Sequence, residues 1–222
     1  MALAAVRAEA AVEVVGLLST LNADANRVAM HAVRRSLLEA QADRLGLPLE
    51  VVEIPAGCSN ELYEEKMGKT MRQAVAAGVE RVVFGDLFLE DVRRYREAHL
   101  AGSGIEPVFP LWNRPTGLLA REMLDAGVRA VLTCVDPRVL PARFAGRSFD
   151  AELLDELGPG VDPCGERGEF HTFVWDGPGF ASPLPVVERD GFVFADLVFC
   201  PSSPSSSRAE PPADGRGAQE VT

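Results

Sequence analysis

RVVFGDLFLEDVRRYREAHL, residues Arg81 to Leu100, runs a short apolar, β-branched segment into a charged helical pattern, with Gly85 and Asp86 at the junction. Arg81 to Asp86 reads as a strand and Glu90 to Leu100 as a helix. Strand followed by helix is the repeating unit of a parallel α/β sheet, whose ligands sit beyond the carboxyl ends of the strands. Asp86 stands at such an end, where it can meet Mg2+ or a nucleotide or substrate group, or simply cap the next helix.

The same alternation extends in both directions. Upstream, VEVVGLLST (Val12 to Thr20) reads as a buried strand. A helix is expected from about Arg27 to Leu45, closed by Gly46 and Pro48, before a second strand at LEVVEIP (Leu49 to Pro55). Ser59 or Asn60 can cap the helix ELYEEKMGKTMRQAVAAG, with Gly78 at its far end. Downstream come EPVFPLW, the helix TGLLAREMLDAG and the strand RAVLTCVD, Arg129 to Asp136. After Asp136 proline and glycine become frequent. GEFHTFVWDGP and PLPVVERDGFVFADLVF resemble strands joined by turns, with ERDG as a hairpin candidate. The expected organisation is an α/β domain over residues 1–136, a small mixed α+β domain over 137–200, and a tail over 201–222. That tail has too few apolar residues to offset the entropy of ordering.

Composition sets limits on function. A chain of 222 residues with 47% hydrophobic content can bury a real core. No apolar run approaches the roughly 18 residues of a membrane span, and the start lacks the basic-then-apolar form of a leader, so a soluble cytoplasmic protein without a membrane partner is expected. The net charge of −11 and the scattered lysines and arginines argue against broad nucleic-acid binding. Cys58, Cys134, Cys164 and Cys200 form no CxxC pair, so reduced thiols are the default.

The densest chemistry lies in PCGERGEFHTFVWDGP, Pro163 to Pro178. In an extended segment Glu169 and His171 share a face, about 7 Å apart along the strand, and a carboxylate beside an imidazole raises its pKa and suits proton transfer. Glu166 belongs to the same acidic cluster, with Gly168 and Thr172 flanking the pair. A zinc site from Cys164, Glu169 and His171 matches no usual ligand spacing. Cys164 reads better as a small buried hydrophobe, and Gly165 and Gly168 as points of close backbone approach. Elsewhere Ser19, Thr20 and Asn22 end the first strand, where they can meet an adenosine or merely turn the chain. His31 and Arg34 stand three apart near a helix start, where the arginine can hold a phosphate or carboxylate or remain a solvated surface residue. His99 reads as a surface residue near a helix end.

VVGLLST, MHAVRRSLLEAQADRLGLPL, RVVFGDLFLEDVRRYRE, EPVFPLW and PCGERGEFHTFVWDGP occur in the order and spacing of the diphthine–ammonia ligase-like ATP-binding family, a branch of the PP-loop ATP pyrophosphatases. The chain resembles that family over residues 1–199. The resemblance implies a HUP-type α/β nucleotide-binding domain followed by a small C-terminal domain, with substrate between them. It also implies ATP and Mg2+ as cofactors, activation of a carboxylate on a small molecule or protein, and transfer of ammonia with release of AMP and pyrophosphate. On this reading Ser19, Thr20, Asn22, Gly85 and Asp86 serve the nucleotide and its metal. His31, Arg34, Gly168 and Thr172 serve the substrate, and Glu166, Glu169 and His171 the chemistry.

Two departures from the family pattern stand out. No SGGKDS-like phosphate loop occurs, and Met1 falls inside the helix that follows such a loop. Either the start is misplaced or the chain is a shortened relative that binds a nucleotide or metabolite without chemistry. In a HUP-like strand order the absent first strand is central, so a slot lined by Val14, Gly16, Val82 and Phe84 is expected between its neighbours. Diphthamide-forming members carry Glu where this chain has His171, which points to a different acceptor.

Overall fold

The computed structural model describes residues 1–28, 31, 33–189 and 196–199. In chain order its elements are α1 (Ala2–Arg7), β1 (Leu17–Asn22), β2 (Arg27–Val28), α2 (Arg35–Leu45), β3 (Leu49–Ile54), α3 (Asn60–Ala76), β4 (Arg81–Val83) and α4 (Glu90–Leu100). They are followed by β5 (Glu106–Val108), α5 (Thr116–Asp125), β6 (Arg129–Val135), α6 (Ala151–Glu156), β7 (Phe170–Asp176), β8 (Val186–Arg189) and β9 (Asp196–Phe199). The residues expected to form the tail, 201–222, and the turn between β8 and β9 lie outside the described residues.

The architecture is α/β, with parallel pairs and flanking helices followed by a smaller C-terminal part. β1 pairs in parallel with β3 from Leu17↔Leu49 to Asn22↔Ile54. β4 pairs in parallel with β5, Val83 opposite Val108. β1 and β4 fall in separate sheets, as the expected slot between them requires. Of its expected lining, Val82 and Phe84 are half-buried and pack onto Met71, Leu100 and Ile105.

Two boundaries differ from expectation for local reasons. β1 opens at Leu17 rather than Val12, because its ladder begins where the Leu17 N–H reaches the Pro48 carbonyl, 2.8 Å away. α2 opens at Arg35 rather than Arg27. The Asn22 side chain takes the Ala25 N–H at 2.9 Å, and Asn26 adopts φ +51°, which turns the chain back on itself. Arg27 and Val28 then pair antiparallel with Asn22 and Leu21, and the Val28 N–H meets the Val33 carbonyl. His31 and Arg34 therefore precede the helix instead of sharing one of its faces. At the other end Gly46, at φ +65°, closes α2 as expected.

β6 and β7 pair antiparallel across the boundary expected at Asp136, so β6 is built into the C-terminal part. Phe170 and Phe173 lie three apart on β7 and face opposite ways. Phe170 joins the core of Leu132, Leu140, Phe144, Phe149 and Leu153. Phe173 joins Leu37 and Ala40 of α2 and Leu184, which fixes the first half of the chain onto the second. Leu87, Leu111 and Leu119 close a further small core against Met1, Ala2 and Cys164.

Candidate functional site

The loop Asp162–Glu169 is shaped by its own acids. The Asp162 carboxylate accepts the N–H groups of Cys164 at 2.9 Å and Glu166 at 3.4 Å. Glu169 accepts those of Asp162 at 3.0 Å and Arg167 at 2.9 Å, one on each oxygen. Both carboxylates are nearly out of water, 7% and 4% exposed. Burial of a charge is tolerable only with such partners. Gly165, at φ +69°, gives the expected close approach: a Cβ there would stand 2.6 Å from the Phe170 carbonyl. Gly168 adopts φ +85°, but no protein atom lies within 4 Å of its missing Cβ, so the expected close approach is not made there.

Glu166 reaches out of this loop. Its Oε1 accepts the Leu87 N–H at 2.7 Å, which sets the loop against the segment following β4. Desolvation pushes its carboxyl pKa up, with Asp86 and Asp162 adding repulsion against the opposing N–H groups of Leu87 and Phe88. Asp86 is itself held in a fork by Arg96, Nε to Oδ2 at 2.5 Å and Nη2 to Oδ1 at 3.1 Å. That guanidinium lies over the Phe84 ring, 4.4 Å from its centroid.

His171 stands apart from Glu169. β7 begins at Phe170, so Glu169 belongs to the loop rather than the strand, and both its oxygens are taken there. The expected carboxylate–imidazole pair is not formed, and the expected rise in the His171 pKa is reversed: burial lowers it. Its ring instead packs on His31, centroids 4.3 Å apart and tilted by 49°. Although His31 as a residue is exposed, desolvation of its ring, followed by the His171 charge, lowers its pKa to about 4. Thr172, next on β7, pairs with Leu132, and the Thr133 hydroxyl donates to the His171 carbonyl at 3.2 Å.

The other candidates are placed separately. Ser19 and Thr20 are half-buried in β1, opposite Val51 and Val52. Asn22 is engaged in its turn, Gly85 is exposed between Phe84 and Asp86, and His99 bridges to Glu64 at 2.9 Å. Arg34 lines a hollow of about 280 Å³ with Asn26, Arg27, Arg35, Ser36 and Glu39. Cys164, expected as a small buried hydrophobe, is only half-buried but packs against both neighbouring cores. Burial, Asp162 and Glu166 push its thiol up to about 12, and its sulfur is 3.5 Å from the Thr116 carbonyl.

Among the described residues no group of three or more His, Cys, Asp or Glu side chains is arranged to hold a metal ion. Asp86, with both oxygens on Arg96, does not fit a magnesium ligand in this arrangement. Asp162 and Asp136 were missed by sequence reasoning. The signal for Asp162 is its position in VDPCG, two residues before the amide it caps, as in an Asx turn. Asp136 clamps Arg138, whose hydrogen bonds lower its pKa to about 2, and its N–H meets the Glu169 carbonyl at 2.8 Å.

No helix among the described residues is long and apolar enough to cross a membrane. Residues 1–106 match the model of the diphthamide synthase N-terminal domain, and residues 115–202 that of the diphthamide synthase C-terminal domain. Diphthine–ammonia ligase of Danio rerio is 34% identical over 119 residues, covering 51% of this chain and 47% of the relative. That of Homo sapiens is 30% identical over 162 residues, covering 70% of this chain and 60% of the relative. The chain thus spans between about half and three-fifths of the length of these curated relatives. Both matched domains occur in order and are in contact through the Leu87–Glu166 hydrogen bond, and the chain belongs to the diphthine–ammonia ligase-like family.

Proposed function

We propose that this chain works in an ATP-dependent amide-forming ligase, with ammonia as the nitrogen donor and a carboxylate on a small molecule or protein as the acceptor. The observation that carries this reading is the Glu166–Leu87 contact. It sets the GERGEFHT loop, the most chemically loaded segment of the C-terminal part, against the carboxyl end of a parallel strand, where α/β sheets take their ligands.

ATP supplies the activation of the acceptor carboxylate, which loses an oxygen to AMP as pyrophosphate is released and ammonia forms the amide. Ser19, Thr20 and Gly85 are the residues we assign to the nucleotide. Ammonia must lose a proton as its bond to the acyl carbon forms. Burial lowers the His171 pKa and so favours the neutral imidazole that can take that proton, with His31 packed against it. Glu166 places the loop, and Glu169 gives it shape. Arg34, Gly168 and Thr172 remain assigned to the acceptor. Asp86, with both oxygens on Arg96, takes no part in this chemistry as a Mg2+ ligand.

A second reading, nucleotide or metabolite binding without chemistry, is favoured by the engagement of Asp86 with Arg96 and of Glu169 with backbone amides. One assay separates them. The protein is incubated with ATP, MgCl2, ammonium and a diphthine-bearing peptide, diphthine being the acceptor named in its relatives, and AMP release and acceptor mass are followed. Acceptor- and ammonium-dependent AMP with amide formation supports the ligase. Nucleotide binding without turnover, for this and other carboxylate acceptors, supports the second reading.

A further inference from the structure

Phe84 and Phe109 are the first residues beyond the paired strands β4 and β5, and their rings stack at 5.4 Å. Arg96 covers one end of this pair and binds Asp86 through Nε and Nη2. Arg93, one turn earlier on α4, covers the other end. Its guanidinium carbon lies 4.7 Å from the Phe109 centroid and 4.7 Å from that of Trp112, whose rings meet edge-on at 65°. Glu97 binds it through Nε alone, at 2.7 Å. Among the described residues no acceptor meets its two terminal nitrogens.

We propose that Arg93, held in the Phe109–Trp112 corner, is an oxyanion-binding residue that takes a carboxylate or phosphate group on its terminal fork. The chemistry follows from the mounting. Two rings and one carboxylate fix the guanidinium plane, so little side-chain freedom remains to be lost on binding, and a planar fork matches two oxygens of one anion. The rings beside it offer apolar surface to the body that carries the anion. If Arg93 served packing alone, the rings and Glu97 would complete its role, and a side chain of the same length without the fork would do equally well. The proposal does not depend on the ligase reading.

Trp112 sits in the corner and reports on it. The full chain is titrated at low salt with inorganic pyrophosphate and, separately, with benzoate, while tryptophan fluorescence is recorded. A saturable change is expected with at least one probe, absent in Trp112→Phe, and weakened at least tenfold in Arg93→Met. Arg94→Met removes the same charge from the same helix but from an exposed arginine paired with Asp91, and it should leave the affinity within twofold. Response to pyrophosphate alone assigns the seat to phosphate, and response to benzoate alone assigns it to carboxylate. Should Arg93→Met fail to fold, Arg93→Lys keeps charge and stem but not the fork, and a severalfold loss is expected. No saturable response to either probe, equal weakening by the Arg93 and Arg94 variants, or wild-type affinity in Arg93→Lys would overturn the proposal.

Discussion

The loop Asp162–Glu169 and the β4–α4–β5 region meet at Glu166, yet they satisfy their charges by opposite means. In the loop, Asp162 and Glu169 are nearly buried and are bound by backbone N–H groups of the loop itself. Around β4, Asp86 is bound by the long side chain of Arg96, and aromatic rings carry the guanidinium groups of Arg93 and Arg96. A backbone donor cannot turn away when its acceptor is removed, whereas an arginine that is partly exposed can turn to water. The loop should therefore be the brittle partner and the β4 region the tolerant one.

The sharpest test of that contrast is Glu169→Ala, which strands two amides in a closed loop. It should lower unfolding stability by about 3 kcal/mol in urea melts, and a loss below about 0.5 kcal/mol would erase the distinction. Next is Gly165→Ala, which meets both a left-handed φ and the Phe170 carbonyl and should cost about 2 kcal/mol. Asp86→Ala, on the tolerant side, should cost about 1 kcal/mol, because Arg96 keeps its place over Phe84 and a third of its side chain already meets solvent. A loss equal to that of Glu169→Ala would break the comparison.

The smallest effect concerns His31. Its pKa is lowered from 6.5 to about 4 in the folded chain, so the unfolded chain binds the proton first. Its contribution to stability is fully present above pH 6.5 and is lost as pH falls from there toward 4. Unfolding midpoints across that window should fall less steeply in His31→Ala than in the wild type. Parallel curves would show that burial does not lower the pKa of the His31 ring.

Elements with strong local signals were legible. Glu90 to Leu100 is helical as its pattern indicates, Ser59 caps α3 by accepting the Leu62 N–H, and β6 and β7 appear where their β-branched and aromatic runs lie. Misreadings came from long-range causes. Val12 to Gly16 has strand composition but no partner in the ladder that begins at Leu49, and the periodicity of residues 27–34 gives way to the turn at Asn26. At the site, alternation put Glu169 beside His171, but the loop closes on Glu169 before the strand starts. The Arg93–Phe109–Trp112 corner joins residues 16 to 19 positions apart, where no local spacing rule applies.

The central claim, that Glu166 holds the C-terminal loop against the end of β4, is tested most directly by amide hydrogen exchange in Glu166→Ala. The Leu87 amide, which donates to Glu166 at 2.7 Å, should exchange at least tenfold faster than in the wild type. The Asp162 and Arg167 amides, held by Glu169, should keep their wild-type rates. Unchanged protection at Leu87 would contradict the claim, as would loss of protection throughout the loop, which would make Glu166 part of the loop's own scaffold.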